Sequence, residues 1–397
     1  MGTASQTSAD AQRAGPEVVA ACAFSAVPGV GAVAMARIAA AFGGFASALD
    51  YGPAAILRRA GELELRAEAR SWLARDPDLR DLGRWAFEAA LAAGARVLLP
   101  ADEEFPARLR AVANGPQVLY VRGSLVPEAR RIAVVGSRES DESGLDLARE
   151  FGDALARAGV EVVSGGARGI DTAAHEGALW AQGRSIAVLG TGIDVAYPPE
   201  NGSLFERLAG GAGAVLTELA PGAQPAPKNF PRRNRIVAGL SHAVVVVRAS
   251  ERSGALITAE HAEAQEVPLY AVPGDPRNRC AAGPNSLLRE QKARAATGPL
   301  DLLRDLGWEV PAPLEAPDAP PRGGPASNRS ERSVPDRTVV DAKGLRLWQL
   351  LDSSTPAHVD DLALRAQIPA REALGKLAEL ELKGMAVQRP GKYFLRR

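Results

Sequence analysis

The sequence predicts an α/β fold: a doubly wound, mostly parallel sheet, preceded by a helical N-terminal domain and followed by a small C-terminal domain. Three observations carry this reading. Six short runs, at 132–135, 161–163, 185–189, 214–217, 243–247 and 269–272, are nearly all apolar, as strands buried on both faces are. Helix-period patterns separate them, for example over 144–158 and 170–181, and strand–helix alternation builds parallel sheets. The flanking segments lack this alternation.

Taken in chain order, residues 1–15 are polar and without periodicity, and read as disordered. Residues 16–75 read as a helical domain in which Val27-Pro28-Gly29-Val30-Gly31 forms a helix-hairpin-helix turn before a helix over 32–42. Two uses fit the turn: amides at a helix start facing a phosphate, or a tight link between packed helices. The apolar run 18–42 is interrupted by Pro28, Gly29, Gly31 and Arg37, which favours a buried hairpin over a membrane span. Strand candidates at 96–99 and 118–121 open the domain at 76–308, whose pattern is that of an extended Rossmann-like fold. Residues 309–336, rich in Pro, Ala, Gly, Ser and charge, read as a linker. Residues 337–397 carry three helical patterns (344–351, 359–365 and 370–383) and two strand candidates, 386–388 and 393–395, around Pro390-Gly391. Three helices and a hairpin make a winged-helix pattern.

Lys and Arg total 47, as do Asp and Glu, so the net charge is zero and any surface for a polyanion must be a local patch. Cys22 and Cys280, the two cysteines, suit a reducing compartment and predict a cytoplasmic protein. The first residues lack the basic-then-apolar pattern of a secretion signal. No Cys/His cluster has zinc-like spacing.

Four loops follow strands of the α/β domain, where such sheets collect ligands. In Gly136-Ser137-Arg138, glycine admits a close ligand, Ser137 offers a hydroxyl and Arg138 a bidentate grip on phosphate; a plain turn with a solvated arginine is the other reading. In Ser164-Gly165-Gly166-Ala167-Arg168-Gly169-Ile170-Asp171, three glycines precede a helix, so free amides and the positive helix end would converge on an anion. It is neither a P-loop nor the dinucleotide fingerprint. Asp171 is read as a helix cap and His175 as a packing residue. Lys228-Asn229-Phe230-Pro231-Arg232-Arg233-Asn234-Arg235 places four basic residues in eight with no acid. There Phe230 suits stacking on an unpaired base while the arginines hold phosphates; a solvated helix start with Phe230 as a packing residue is the alternative. Ser253-Gly254 either rims the same cleft or caps the next helix. The four histidines stand beside no nucleophile, and the cleft loops hold no paired carboxylates. Anion holding is therefore predicted, without catalysis.

These loops and their order resemble the DprA/Smf family of DNA-processing proteins. The matching text is Val134-Val135-Gly136-Ser137-Arg138, Ser164-Gly165-Gly166-Ala167-Arg168-Gly169-Ile170-Asp171-Thr172-Ala173-Ala174-His175, the stretch 187–198, Asn229-Phe230-Pro231-Arg232-Arg233-Asn234-Arg235-Ile236, the stretch 253–259 and Val272-Pro273-Gly274. The resemblance implies binding of single-stranded DNA during natural transformation or recombination, homodimers, loading of the recombinase RecA, displacement of single-strand-binding protein, and no cofactor. It places the phosphate grip on Arg138, basic contacts on Lys228, Arg232, Arg233 and Arg235, and a base contact on Phe230. Two other readings compete. A phosphoribohydrolase-like enzyme needs a Pro-Gly-Gly-x-Gly-Thr-x-x-Glu segment, where this chain has Ser253-Gly254-Ala255-Leu256-Ile257-Thr258-Ala259. A transcription regulator needs a basic reading helix, whereas 370–383 mixes Arg371, Lys376 and Lys383 with Glu372, Glu379 and Glu381, which suits contact with protein.

Overall fold

The computed structural model describes residues 15–309 and, further on, 342–352, 357–366, 368–383, 385–389 and 393–396. The expected disorder at 1–14, the linker over 310–336 and the hairpin turn Pro390-Gly391 lie outside the described residues. The chain divides into two compact units, Met1–Ala316 and Pro317–Arg397.

The first unit is built on a nine-stranded sheet: β1 (Arg96–Leu98), β2 (Leu119–Gly123), β3 (Arg131–Val135), β4 (Glu161–Ser164), β5 (Ser185–Val188), β6 (Gly213–Thr217), β7 (Ala243–Val246), β8 (Leu269–Ala271) and β9 (Arg294–Ala295). Their order is β1-β2-β6-β5-β4-β3-β7-β8-β9. β1 and β2 pair antiparallel at one edge, and every pairing from β6 to β9 is parallel. The chain winds outward from β3 to β6 on one side, then restarts beside β3 with β7. Connections therefore diverge at the carboxyl ends of β3 and β7, and a crevice opens there.

Side chains alternate across the sheet with the period of two that strands impose. Ala133, Val135, Val163, Val244 and Val246 pack on one face with the helices Asn229–Leu240 and Ala255–Ala264. On the other face, Ile132, Val134, Val162 and Val245 pack against Glu142–Arg157 and Ile170–Trp180.

The N-terminal helices, Pro16–Ala26, Ala32–Phe42, Phe45–Arg58, Ala67–Leu73 and Leu79–Ala92, share one apolar core with Tyr120, Ala187, Leu189 and Val215 of the sheet. Leu79–Ala92, beyond the boundary drawn at 75, lies directly on Pro16–Ala26: a Cβ at Gly83 would stand 2.5 Å from the Val19 carbonyl oxygen. Tyr120 Oη and Ser25 Oγ are 2.7 Å apart, a polar tie between bundle and sheet. Among the described residues no single helix is long and apolar enough to cross a membrane.

The second unit has helices Ala342–Leu350, Val359–Ala366 and Ala370–Leu382 and a three-stranded sheet ordered β10-β12-β11, with β10 (Ala357–His358), β11 (Ala386–Arg389) and β12 (Tyr393–Arg396). This is the winged-helix arrangement the pattern predicts, with β10 as an added short strand.

Candidate nucleic-acid interface

A cleft of about 600 Å³ opens at the carboxyl edge of the sheet, lined among others by Gly136, Ser137, Arg138, Gly165, Tyr197, Phe230, Arg233, Ser253 and Gly254. The loops after β3, β4, β6 and β7 thus meet as the sequence predicts.

The β3 loop is carried on the β4 loop. The amide of Ile170 donates to the Ser137 carbonyl (3.2 Å), and that of Ser137 to the Arg248 carbonyl (2.6 Å). Gly169 has φ +76°, and a Cβ there would collide with the Ser137 and Arg138 carbonyl oxygens, so only glycine permits the contact. Arg138 is exposed and has no acidic partner among the described residues; its guanidinium carbon lies 5.1 Å from the Phe230 ring centre, within cation–π range. Phe230 in turn meets Tyr197, with centroids 5.4 Å apart at 40°. A Cβ at Gly190 would stand 2.8 Å from the Phe230 ring, so this glycine makes room for the aromatic wall. Tyr197 and Gly190 were not singled out from the sequence. The Tyr197-Pro198 pair that closes the 187–198 motif was the available signal.

The glycine-rich β4 loop departs from expectation. Its amides do not all wait for a ligand: Asp171 Oδ2 accepts from Gly165 (3.1 Å) and Ala167 (3.3 Å). Asp171 is therefore an internal anion for the loop rather than a simple helix cap. Burial pushes its carboxyl up, against the opposing pull of the Arg233 guanidinium and the two amides. Gly166 (φ +64°) sits on the Phe205 ring. Arg168 leaves the main cleft to pair with Glu200, and both side chains are half exposed. It lines a small adjoining hollow together with Arg138, Tyr197 and Phe230. Ser137 Oγ donates to the Glu139 carbonyl (2.6 Å), so a phosphate would have to displace a local bond.

The basic segment starts the helix Asn229–Leu240 and splits three ways. Lys228 is exposed beside the cleft rim. Arg233, assigned to phosphate by sequence, is 5% exposed and donates to the Gly165 and Val188 carbonyls; it braces the β4 loop instead. Burial lowers its pKa to about 10, so it stays charged at neutral pH. Arg235 also turns inward, paired with Glu218 at 12% and 11% side-chain exposure. Asn229 and Arg232 face a separate hollow with Leu189 and Glu218, and the Arg232 guanidinium presses on Gly31 of the N-terminal hairpin turn. The inward turn of Arg233 was readable. Arg233, Ile236, Val237 and Leu240 are all buried, and their i, i+3, i+4, i+7 spacing marks one helix face.

Ser253 serves both expected uses. It lines the cleft, and its Oγ accepts from the Ala255 amide (3.3 Å) at the next helix start. Asn234 Nδ2 reaches the Gly254 carbonyl (3.2 Å) and ties the loop to the basic helix. His175 is buried with Nδ1 2.7 Å from Ser185 Oγ, and burial together with the Arg233 charge takes its pKa down to about 3. It packs, as the sequence predicts.

The family model for DNA recombination-mediator protein A matches residues 96–307, and a DprA winged helix domain model matches 325–392. Protein Smf of Escherichia coli is 39% identical over 298 residues, 75% of this chain and 76% of that protein. The chain belongs to the DNA recombination-mediator protein A family. A second member, the DNA processing protein DprA of Streptococcus pneumoniae, is 39% identical over 205 residues, 51% of this chain and 72% of its own. The X-ray structure of DNA processing protein A from Streptococcus pneumoniae superposes with a TM-score of 0.58 at 29% identity, covering 74% of this chain and 98% of that one. Membership of the DNA recombination-mediator protein A family brings a DNA-processing role to this chain.

Proposed function

We propose that the chain binds single-stranded DNA in the cleft at the carboxyl ends of β3, β4 and β7, protects incoming strands and loads the RecA recombinase during natural transformation or recombination. It does so as a homodimer in the cytoplasm, handing over strands held by single-strand-binding protein, with no cofactor and no bond broken. One observation carries the reading: an exposed, unpaired arginine, Arg138, lies on an aromatic pair, Phe230 and Tyr197, inside an open cleft. Phosphate and base of one nucleotide can be met side by side there, and stacking on an aromatic accepts any base. Duplex DNA keeps its bases paired and offers the ring nothing. The non-enzymatic reading is supported by two groups: Asp171, which lines the cleft, is engaged by loop amides, and the nearby His175 is enclosed with Ser185 outside it.

The test is fluorescence anisotropy with labelled single-stranded and duplex DNA of equal length across a salt series. Preference for the single strand, falling as salt rises, is expected. Equal or better binding to duplex moves the function to the winged helix. RecA filament formation on strands pre-coated with single-strand-binding protein then tests loading, and light scattering tests the dimer.

A further inference from the structure

We infer that the single-strand track does not end at the cleft but continues onto the N-terminal helical bundle, with Trp85 as a second stacking position; this rests on the single-strand reading above. Trp85 is 51% exposed; it projects from the solvent side of the helix Leu79–Ala92, whose opposite face (Leu79, Gly83, Ala86, Phe87 and Ala90) is buried in the bundle. A single exposed aromatic needs no occupant on that ground alone; what marks Trp85 is where it lies. Its neighbour identifies the groove. A Cβ at Gly222 would stand 3.7 Å from the Trp85 ring, so the indole lies against the loop after β6. That loop is fixed, not loose: Asp194 accepts from the Gly222 amide through both carboxylate oxygens (2.8 and 3.0 Å). Three residues later the same loop supplies Pro225, Ala226 and Pro227 to the cleft wall. Three residues of chain span at most about 10 Å, roughly three nucleotide steps at the rise of one DNA strand.

Charge follows the same direction. Lys228, next along this loop, is exposed, and Arg232, one turn into the helix, lies against Gly31 of the bundle. Neither has an acidic partner among the described residues. A strand running from Phe230 along this loop to the indole would have Lys228 on its way, with Arg232 facing the bundle from the adjoining helix. Alternating cations and aromatic faces are what an unpaired strand requires, whereas a protein partner would need an apolar patch around the indole. Trp85 is instead flanked by exposed Arg84 and Glu88.

The experiment compares the full chain with its Trp85→Ala and Trp85→Phe forms on a thymidine strand of about 4 nucleotides, which fills the cleft alone, and one of about 20, which reaches the bundle. Trp85→Ala is expected to weaken the long strand roughly five- to tenfold and to leave the short strand unchanged, with Trp85→Phe restoring most of the loss. The long strand alone should quench the emission difference between the native chain and Trp85→Phe. Unchanged long-strand affinity in Trp85→Ala overturns the inference while leaving the cleft reading intact, and so does an equal loss on both strands. Failure of the native chain to bind either strand overturns the cleft reading and this one together.

Discussion

The loops after β3 and β4 have similar ingredients, glycine, a small hydroxyl residue and an arginine, and lie in contact, yet their electrostatics are opposed. In the β4 loop a carboxylate from the following helix, Asp171, occupies the amides of Gly165 and Ala167, and a buried guanidinium from the basic helix, Arg233, takes the Gly165 carbonyl. The loop is filled by the protein's own charges. Among the described residues the β3 loop has no such internal counter-ion, and its arginine stands in the open cleft over Phe230. A glycine-rich loop is thus an anion site only where the fold brings no anion of its own. Here the β4 loop is the braced base, and the β3 loop is the one whose arginine stays open to the cleft.

Removing the internal anion should have the largest effect. Asp171→Ala leaves the Arg233 charge buried without its counter-ion, and chemical denaturation should show a loss of about 3–5 kcal/mol. A loss below about 1 kcal/mol would mean the two loops are alike after all. Next, Arg235→Ala breaks the pair with Glu218 and should lower stability by about 1.5–3 kcal/mol without altering the salt dependence of DNA binding. A changed salt slope would put Arg235 back among the phosphate contacts, where the sequence placed it.

The filled loop should also show in acid. Folded His175 has a pKa of about 3 against an ordinary value of 6.5, so the unfolded chain takes its proton first. The stability associated with neutral His175 is complete above about pH 6.5 and is lost as pH falls towards 3, by about 1.4 kcal/mol per unit. Thermal or urea unfolding of His175→Gln between pH 6.5 and 4 should show a shallower acid dependence than the native chain; parallel curves would contradict the assignment. The smallest effect on the fold belongs to the open loop. Arg138→Ala should leave stability unchanged, weaken single-strand binding about tenfold at low salt and reduce the log–log salt slope by about 0.7.

The sheet was legible because its parallel strands are short apolar runs with clear breaks, and seven of the nine main-sheet strands agree with the sequence to within one residue at each end. Only β9, two exposed residues, had no apolar signal, and β2 continues two residues past its expected end at 121. The order of the site loops was legible for the same reason: each follows a strand. What composition could not reveal was which way each arginine turns. Arg233 and Arg235 look like neighbours of Lys228 in the sequence, but Arg233 lies on the buried face of the helix and Arg235 turns inward to Glu218, while Lys228 stays outside. The partners that hold them, the Gly165 and Val188 carbonyls and the Glu218 carboxylate, come from other stretches of chain. The helical period flagged Arg233; nothing local flagged Arg235.

The family model begins at residue 96, yet the helices before it shelter Tyr120, Ala187, Leu189 and Val215. A chain cut at that similarity boundary would bare the side of β2, β5 and β6 that these helices cover, strip Tyr120 of Ser25, and expose a contiguous apolar patch of the kind that drives self-association. Anyone expressing the DNA-binding domain alone should therefore start it at residue 16, and expect inclusion bodies from the shorter form.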